Sequence, residues 1–299
     1  MKSKFAGFYN YTQSELRELL SNSIITLDYS LLLDINKLSH GRLLLEMLED
    51  KKFKDRLWLP YDTAWMYHQK LQESIEKQIN RVDTAKKHLT SFKSAVEDTM
   101  NHPYIGEDLA NKYNLLMNVT VKALDKEAKY LNSTLFGSDI RKKILDLFEK
   151  KVGEEYNKAD LERICDEAEK MAAESIPPCV KPITSSNPRE QYHYYIIWKQ
   201  MQKQVLENDK RSVVFLTNKL SANWFIYYQS TVCTTNPFLR TEFEKVTKKS
   251  FFGMSAYLFV RKFKPQNKKE QEYDKLLTQL HKKPLDSQGD AVGVANNQL

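Results

Sequence analysis

The sequence predicts an α/β fold, with a central sheet flanked by helices and a long helical hairpin within the chain. Two observations support this prediction. Near the N-terminus, short apolar runs alternate with helical stretches over short connections, which is how an α/β sheet begins. Between residues 61 and 131, apolar residues instead recur at intervals of three, four or seven, as they do in amphipathic helices.

Composition narrows the class of protein. The chain has 299 residues, of which 41% are hydrophobic and 28% charged, as in ordinary globular proteins. Eight glycines are few for a turn-rich β fold or for a glycine-loop nucleotide site. The start of the chain lacks the apolar core of a secretory signal, and no apolar run approaches the roughly 18 residues of a membrane span. We therefore expect a cytoplasmic protein with no membrane partner.

Cysteine and histidine residues do not indicate a metal or redox site. The three cysteines are odd in number and share no ligand spacing, which is typical of free thiols in a reducing compartment. The six histidines form no HxH or HxxxH pair. We therefore expect neither a zinc site nor a disulfide framework.

The first elements are predicted by a capping box and a β-branched run. Thr12 and Glu15 have capping-box spacing, because each side chain reaches the backbone amide of the other residue, and a helix is predicted to follow through Leu20. Residues 23–27 then predict a short strand that ends at Asp28.

The next segments predict a helix over 31–49 and a second strand over 56–59, which Pro60 ends. Two long helical patterns follow, over 61–100 and 109–131. The break between them contains His102, Pro103 and Gly106. Two amphipathic helices joined by a tight turn predict an antiparallel hairpin.

In the second half of the chain, predicted strands again alternate with predicted helices. Residues 212–217 are the clearest buried strand, and 251–252 predict another. Helices are predicted at 139–150, 158–173, 189–207, 237–247, 254–263 and 268–282. The proline-rich segment 175–188 predicts a loop. Residues 284–299 have no periodicity and predict a disordered tail.

Positive charge is concentrated near the C-terminus. Residues 245–283 contain eleven Lys or Arg and three Asp or Glu, a local charge of +8 in a chain of net charge +7. Such a segment is either a solvated helix pair or a surface for phosphate or an acidic partner.

Five stretches, taken in order, carry a resemblance to a known family. They are 24–33, 55–60, 151–156 with 176–178, 192–200 with 214–217 and Trp224, and 237–243. Together they resemble the bacterial PIN-like domain proteins that have a large helical insertion. The resemblance implies a mostly parallel sheet in a domain over 1–263, with the insertion at about 66–150. A basic C-terminal helix over 264–283 and the tail would follow this domain.

The resemblance also implies a chemistry, which is hydrolysis of phosphodiesters with Mg²⁺ or Mn²⁺. These hard cations need several carboxylate oxygens, and the family supplies them at the C-terminal ends of its strands. Carried over residue by residue, Asp28 is the only retained acid and the only candidate metal ligand. The other family positions hold Ser30, Met66, Tyr194, Asn218, Lys219 and Asn223. The site is therefore predicted to be degenerate, with no cofactor expected.

Three functions remain open at this point. The first is a pseudonuclease that binds a partner protein or acts as a regulatory subunit, in a bacterial or phage defence system. The second is an active Mg²⁺- or Mn²⁺-dependent nuclease that uses the displaced acids Asp34 and Asp62. The third is a module that binds RNA or DNA through basic residues. Its candidates are Lys219, Lys248, Lys249, Arg261, Lys262 and Lys264.

Overall fold

The computed structural model describes residues 1, 5–9, 11–38, 40–98, 100, 105–135, 139–228, 231–264 and 270–281. The chain divides into two compact units. One, the sheet unit, comprises residues 1–68 and 143–299, and the other, the hairpin unit, comprises residues 69–142.

Helices dominate the described residues. A short 3-10 helix at Ala6–Phe8 precedes the first α-helix. The α-helices are α1 (Gln13–Asn22), α2 (Tyr29–Lys37), α3 (Gly41–Glu49), α4 (Lys51–Lys54), α5 (Tyr61–Glu97), α6 (Glu107–Leu135), α7 (Asp139–Phe148), α8 (Lys158–Ala173), α9 (Pro188–Gln191), α10 (His193–Glu207), α11 (Pro237–Thr247), α12 (Ala256–Phe263) and α13 (Glu270–His281).

The strands are β1 (Ile24–Leu27), β2 (Val213–Thr217), β3 (Phe225–Tyr228), β4 (Thr231–Thr235) and β5 (Phe251–Ser255). The central sheet has the order β1-β2-β5, and both pairings are parallel. Two isolated parallel bridges, Ile25 to Leu57 and Leu59 to Val152, extend it beyond β1. Parallel segments therefore lie in the order Val152, Leu57–Leu59, β1, β2, β5. Strands β3 and β4 form a separate antiparallel hairpin.

Aromatic side chains fill one face of the sheet. Phe215 of β2 and Phe251 of β5 contact Trp224 and Trp198, with ring centroids 4.6 Å apart for Phe215 and Trp224 and 4.9 Å for Trp198 and Phe251. All four rings are buried. The Trp198 indole N–H donates to the Glu242 carboxylate at 2.8 Å, which satisfies its polar atom. This cluster anchors α10 and fixes the residues at its start.

The hairpin unit consists of the antiparallel parts of α5 and α6. Lys86 pairs with Asp125 at 2.5 Å, and the rings of Phe92 and Tyr113 lie 5.4 Å apart. Later residues of α5 therefore contact earlier residues of α6, which makes the two helices antiparallel. Several apolar side chains on α6 remain mostly exposed. They are Leu109 at 58%, Leu115 at 69%, Leu116 at 64% and Val119 at 60%.

The α/β prediction with a helical insertion is confirmed, and several element predictions are corrected. The single helix predicted over 31–49 is two helices, α2 and α3. Residues 56–59 form isolated bridges instead of a strand. The helix predicted over 189–207 is divided at Tyr192, and Met254 belongs to β5. The β3–β4 hairpin was not predicted.

Some predictions fall on parts of the chain that lie outside the described residues. They are the tail at 284–299, the break at His102 and Pro103, and Lys268, Lys269, Lys282 and Lys283 of the basic segment. Among the helices that are described, none is both long enough and apolar enough to cross a membrane.

Candidate functional site

Polar residues follow the parallel segments where these end, at what we call the carboxyl edge of the sheet. Asp28 follows β1, and Asn218 and Lys219 follow β2. Asp62 lies in the first turn of α5, shortly after the bridge residue Leu59. In open α/β sheets this edge is the usual position of ligand sites.

The Asp28 carboxylate is fully buried and is held by hydroxyl groups. Its Oδ2 accepts hydrogen bonds from the Ser30 hydroxyl at 2.5 Å and from the Thr217 hydroxyl at 3.0 Å. Its Oδ1 is buried and has no hydrogen-bond partner among the residues that the structure describes. Burial raises the pKa of Asp28, while the two hydroxyl groups and the charge of Lys219 oppose that rise. The acid at the family position that the resemblance assigns to Asp28 is therefore held by this chain's own donors.

The second candidate acid, Asp34, is paired by neighbours. Its Oδ2 accepts a hydrogen bond from the Asn218 amide at 3.0 Å, and its Oδ1 lies 3.2 Å from the Lys37 ammonium. Asn218 and Thr217 are adjacent at the end of β2, so this strand end holds both Asp28 and Asp34. Lys37 supplies the positive charge that a metal ion would otherwise supply.

The third candidate acid, Asp62, has both carboxylate oxygens occupied. Arg189 Nε donates to Oδ1 at 2.6 Å, and the Gln200 amide donates to Oδ2 at 2.9 Å. Gln200 also accepts the Asp62 backbone N–H at 3.1 Å. Burial raises the pKa of Asp62, and the Arg189 guanidinium opposes this effect. Arg189 in turn lies 4.6 Å from the ring centroid of Trp65 and pairs with Glu155 at 2.9 Å.

Apolar and aromatic groups occupy two further family positions. Met66 is buried on α5, one turn after Asp62, and Tyr194 is buried at the start of α10. The Tyr194 ring lies 5.6 Å from the Lys219 ammonium. Burial, followed by the charge of Asp28, raises the pKa of Tyr194. Neither side chain offers a carboxylate oxygen.

A histidine that is not among the candidate site residues lies beside these groups. His193 is fully buried, and neither ring nitrogen has a hydrogen-bond partner among the described residues. Its ring contacts Tyr29, with centroids 5.0 Å apart. Burial, together with the charges of Lys219 and Arg189, lowers the pKa of His193 to about 3. At neutral pH this imidazole is therefore uncharged.

Asn223 has a structural contact of its own. Its side-chain oxygen accepts the Lys181 backbone N–H at 2.7 Å, and its side-chain nitrogen donates to the Lys181 carbonyl at 2.8 Å. The amide thus fastens the proline-rich loop to the sheet unit.

The six candidate nucleic-acid residues do not lie together. Lys219 is at the carboxyl edge, whereas Lys248 and Lys249 precede β5 at the opposite edge. Arg261 and Lys262 are exposed near the end of α12. Lys264 lies 2.7 Å from Asp274 and 3.3 Å from Glu270, so its charge is already balanced.

A divalent metal needs several carboxylate oxygens directed at one point. Across the described residues, no group of three or more His, Cys, Asp or Glu side chains is placed to hold a metal ion. Asp28, Asp34 and Asp62 are each engaged by separate donors instead of converging. This donor set does not fit the Mg²⁺ or Mn²⁺ that the family's chemistry requires.

The candidate acids are predictable from the sequence, but their hydrogen-bonding and ion-pair partners are not. Thr217, Gln200 and Arg189 were not named as site residues, because each partner is far from its acid along the chain. Arg189 and Asp62, for example, are 127 positions apart. The one signal in the sequence for Thr217 was its position at the end of a predicted strand, directly before Asn218 and Lys219.

Comparison with known proteins gives one match. The family model described as a PIN-like domain matches residues 24–239, which is most of the chain. No curated protein and no solved structure matches the chain significantly.

Proposed function

The chain belongs to the PIN-like domain family, and from that premise we propose that it is a pseudonuclease, a catalytically degenerate member that acts as a binding or regulatory subunit. A nuclease fold provides the scaffold. The carboxyl edge of this chain, however, is built from groups that stabilise a protein interior.

The observation that carries the proposal is the internal pairing of every candidate acid. Asp34 and Asp62 each have a cation within 3.2 Å, and Asp28 is held by two hydroxyl groups beside the Lys219 charge. A metal ion would have to displace these partners at Asp34 and Asp62, and at Asp28 it would find a single carboxylate oxygen without a partner among the described residues.

Displacement would be unfavourable at Asp62 above all. Its side chain is fully buried, and breaking a buried ion pair costs about 3–5 kcal/mol. A metal ion bound at Asp28 would in addition meet the ammonium of Lys219, whose charge already acts on that carboxylate. Positive charges at close range repel, so Lys219 opposes a second cation at this edge.

A binding role is supported by the hairpin unit. Leu115, Leu116 and Val119 of α6 expose 60% or more of their side chains. Exposed apolar groups that recur on one helix are typical of protein-interaction surfaces. We propose a partner protein for this helix, in a bacterial or phage defence system, since the sequence resembles bacterial PIN-like proteins.

The experiment is a cleavage assay with a matched control. Wild-type protein and Asp28→Asn would be purified identically and incubated with labelled single- and double-stranded RNA and DNA in Mg²⁺ or Mn²⁺. We expect no cleavage by the wild type above the level of the variant. We also expect no metal-induced rise in the melting temperature of either protein, because no site gains a ligand.

Metal-dependent cleavage that Asp28→Asn abolishes would overturn the proposal and support the second candidate, an active nuclease. One observation favours that candidate, which is that the buried Asp28 Oδ1 has no hydrogen-bond partner in the described part of the chain. A single free oxygen is a small part of a divalent-metal shell, so we rank this function second.

A further inference from the structure

The edge of the sheet opposite the carboxyl edge, here called the amino edge, carries a row of cations. Parallel segments begin there in the order Val152, Leu57–Leu59, β1, β2, β5. Pairs of basic residues precede four of these five segments. They are Lys150 and Lys151, Lys54 and Arg56, Lys210 and Arg211, and Lys248 and Lys249.

The segment without its own cations is β1, and Arg56 covers its start. The Arg56 guanidinium donates to the carbonyl of Ser23, the residue before β1, at 2.9 Å, and to that of Leu20 at 3.0 Å. Lys151 similarly donates from its ammonium to the carbonyl of Lys54. The row of positive charge therefore continues across the whole edge.

These cations are close enough to affect one another. Burial, followed by the charge of Lys54, lowers the pKa of Lys151. Burial, followed by the charge of Arg211, lowers the pKa of Arg56. Like charges that repel in this way create a positive potential over the surface.

Few acids offset this charge. The segments 54–56, 149–151, 209–211 and 248–249 contain eight cations and three carboxylates, Asp55, Glu149 and Asp209, a local charge of +5. Asp209 is bound to Arg211, with Nε to Oδ1 at 2.8 Å. The ammonium groups of Lys54, Lys150, Lys210 and Lys249 form no ion pair with any other described residue.

The geometry points to the amino edge as a binding surface for the phosphate backbone of a nucleic acid. Neighbouring strands lie about 4.8 Å apart, so the row spans roughly 19 Å across five segments. A nucleic-acid strand carries one charge per about 3.4 Å of axis, so a row of this length can face roughly five or six phosphates. The buried carboxylates lie at the opposite edge, away from the phosphates. This inference goes beyond the proposed function and does not depend on the loss of catalysis.

The test compares two variants with the same change in charge. The edge variant carries Lys54→Gln, Lys150→Gln, Lys210→Gln and Lys249→Gln. The control variant carries Lys87→Gln, Lys122→Gln, Lys126→Gln and Lys129→Gln, which replace exposed lysines of the hairpin unit. Equal melting temperatures would establish that both variants fold. Binding to labelled single-stranded RNA and duplex DNA would be measured by fluorescence anisotropy over a salt series.

We expect wild type and the control to bind, with affinity falling steeply as salt rises. Each lost phosphate contact flattens the plot of log affinity against log salt by about 0.7 to 0.9. The edge variant should therefore lose about 3 units of slope and bind at least about tenfold more weakly at low salt. Photo-cross-links in the wild type should fall in the four basic segments.

Several outcomes would overturn the inference. They are no binding by the wild type at low salt, equal losses in the two variants, or cross-links confined to the carboxyl edge. Equal affinity for polyglutamate or for vesicles of anionic lipid would reject nucleic acid as the partner. Cleavage of the probe would count against the pseudonuclease proposal alone, so the two failures can be told apart.

Discussion

Replacing Arg189 with methionine would leave the Asp62 carboxylate buried without its counter-charge. Asp62 is fully buried, and the Arg189 guanidinium binds its Oδ1 at 2.6 Å. Methionine keeps an unbranched side chain that can pack against Trp65. The variant therefore removes the charge and the hydrogen bond while preserving most of the apolar contact.

The expected loss of stability in Arg189→Met follows from the burial of the ion pair. Removing one partner of a buried ion pair costs about 3–5 kcal/mol. The Arg189 side chain is 16% exposed and also pairs with Glu155, so we expect the lower end, about 3 kcal/mol. At roughly 2–4 °C per kcal/mol, the melting temperature should fall by about 6–12 °C.

The pH dependence provides a second readout. Burial raises the pKa of Asp62, and without Arg189 the folded-state pKa rises further above the unfolded value of about 3.8. Ionised Asp62 then opposes folding. Relative to wild type, the deficit of Arg189→Met should begin once the pH exceeds the raised folded-state pKa of Asp62 in the wild type, and it should be complete above the still higher pKa in the variant. Below that window the charge-dependent deficit should disappear.

Urea titrations followed by circular dichroism would measure the deficit at neutral and acid pH. Asp62→Asn combined with Arg189→Met is the matched control, because it removes the unpaired charge and should regain about 1–2 kcal/mol. A neutral-pH loss below about 0.5 kcal/mol, with no pH dependence, would refute the view that Arg189 neutralises this acid.

Three further predictions concern other parts of the sheet unit. A Cβ at Gly153 would lie 2.6 Å from the Trp58 ring, so Gly153→Ala should cost about 1–3 kcal/mol, measured by urea unfolding. Burial and nearby charges lower the pKa of His193 to about 3 in the folded protein. Below about pH 6.5 the unfolded state therefore binds a proton that the folded state does not, and the free energy of unfolding should fall by about 2 kcal/mol at pH 5. His193→Phe should abolish that acid sensitivity. Asn218→Asp with Lys219→Asp should lower the melting temperature through carboxylate repulsion, and Mn²⁺ should restore it.

Each of these has a contrary result. Unchanged stability of Gly153→Ala would mean that the Trp58 ring moves aside at no cost. If His193→Phe still lost stability between neutral pH and pH 5, groups other than His193 would be responsible for that loss. A melting temperature of the double aspartate variant that does not respond to Mn²⁺ would indicate that the carboxyl edge cannot bring its acids together.

The long helices were predictable because their periodicity is local. Helices α5 and α6 end within a few residues of the predicted limits, since an amphipathic repeat over many turns leaves little ambiguity. The division between α2 and α3 was missed because leucines continue through it. Gly41 was the available signal, as a Cβ there would lie 2.1 Å from the Ile35 carbonyl oxygen.

The β3–β4 hairpin was missed for a different reason. No glycine or proline marks its turn in the sequence. The sheet order, with β2 between β1 and β5, depends on pairings between residues nearly 190 positions apart. Local patterns do not contain that information.

Of the candidate site, only the acids were predictable from the sequence. The family comparison directs attention to positions where carboxylates are present or absent. The groups that hold the remaining acids come from elsewhere in the chain, as Asn218 does for Asp34 at a separation of 184 residues. Their role depends on three-dimensional distance, and the structure was needed to find them.

The two hydrogen bonds between Asn223 and the Lys181 backbone make a carboxylate unfavourable at position 223. An aspartate at 223 would still accept the Lys181 N–H, but it has no hydrogen to donate to the Lys181 carbonyl and would place two oxygens face to face. The loop attachment and a metal-binding acid are therefore mutually exclusive at this position. Asn223→Asp would therefore loosen the attachment of the loop.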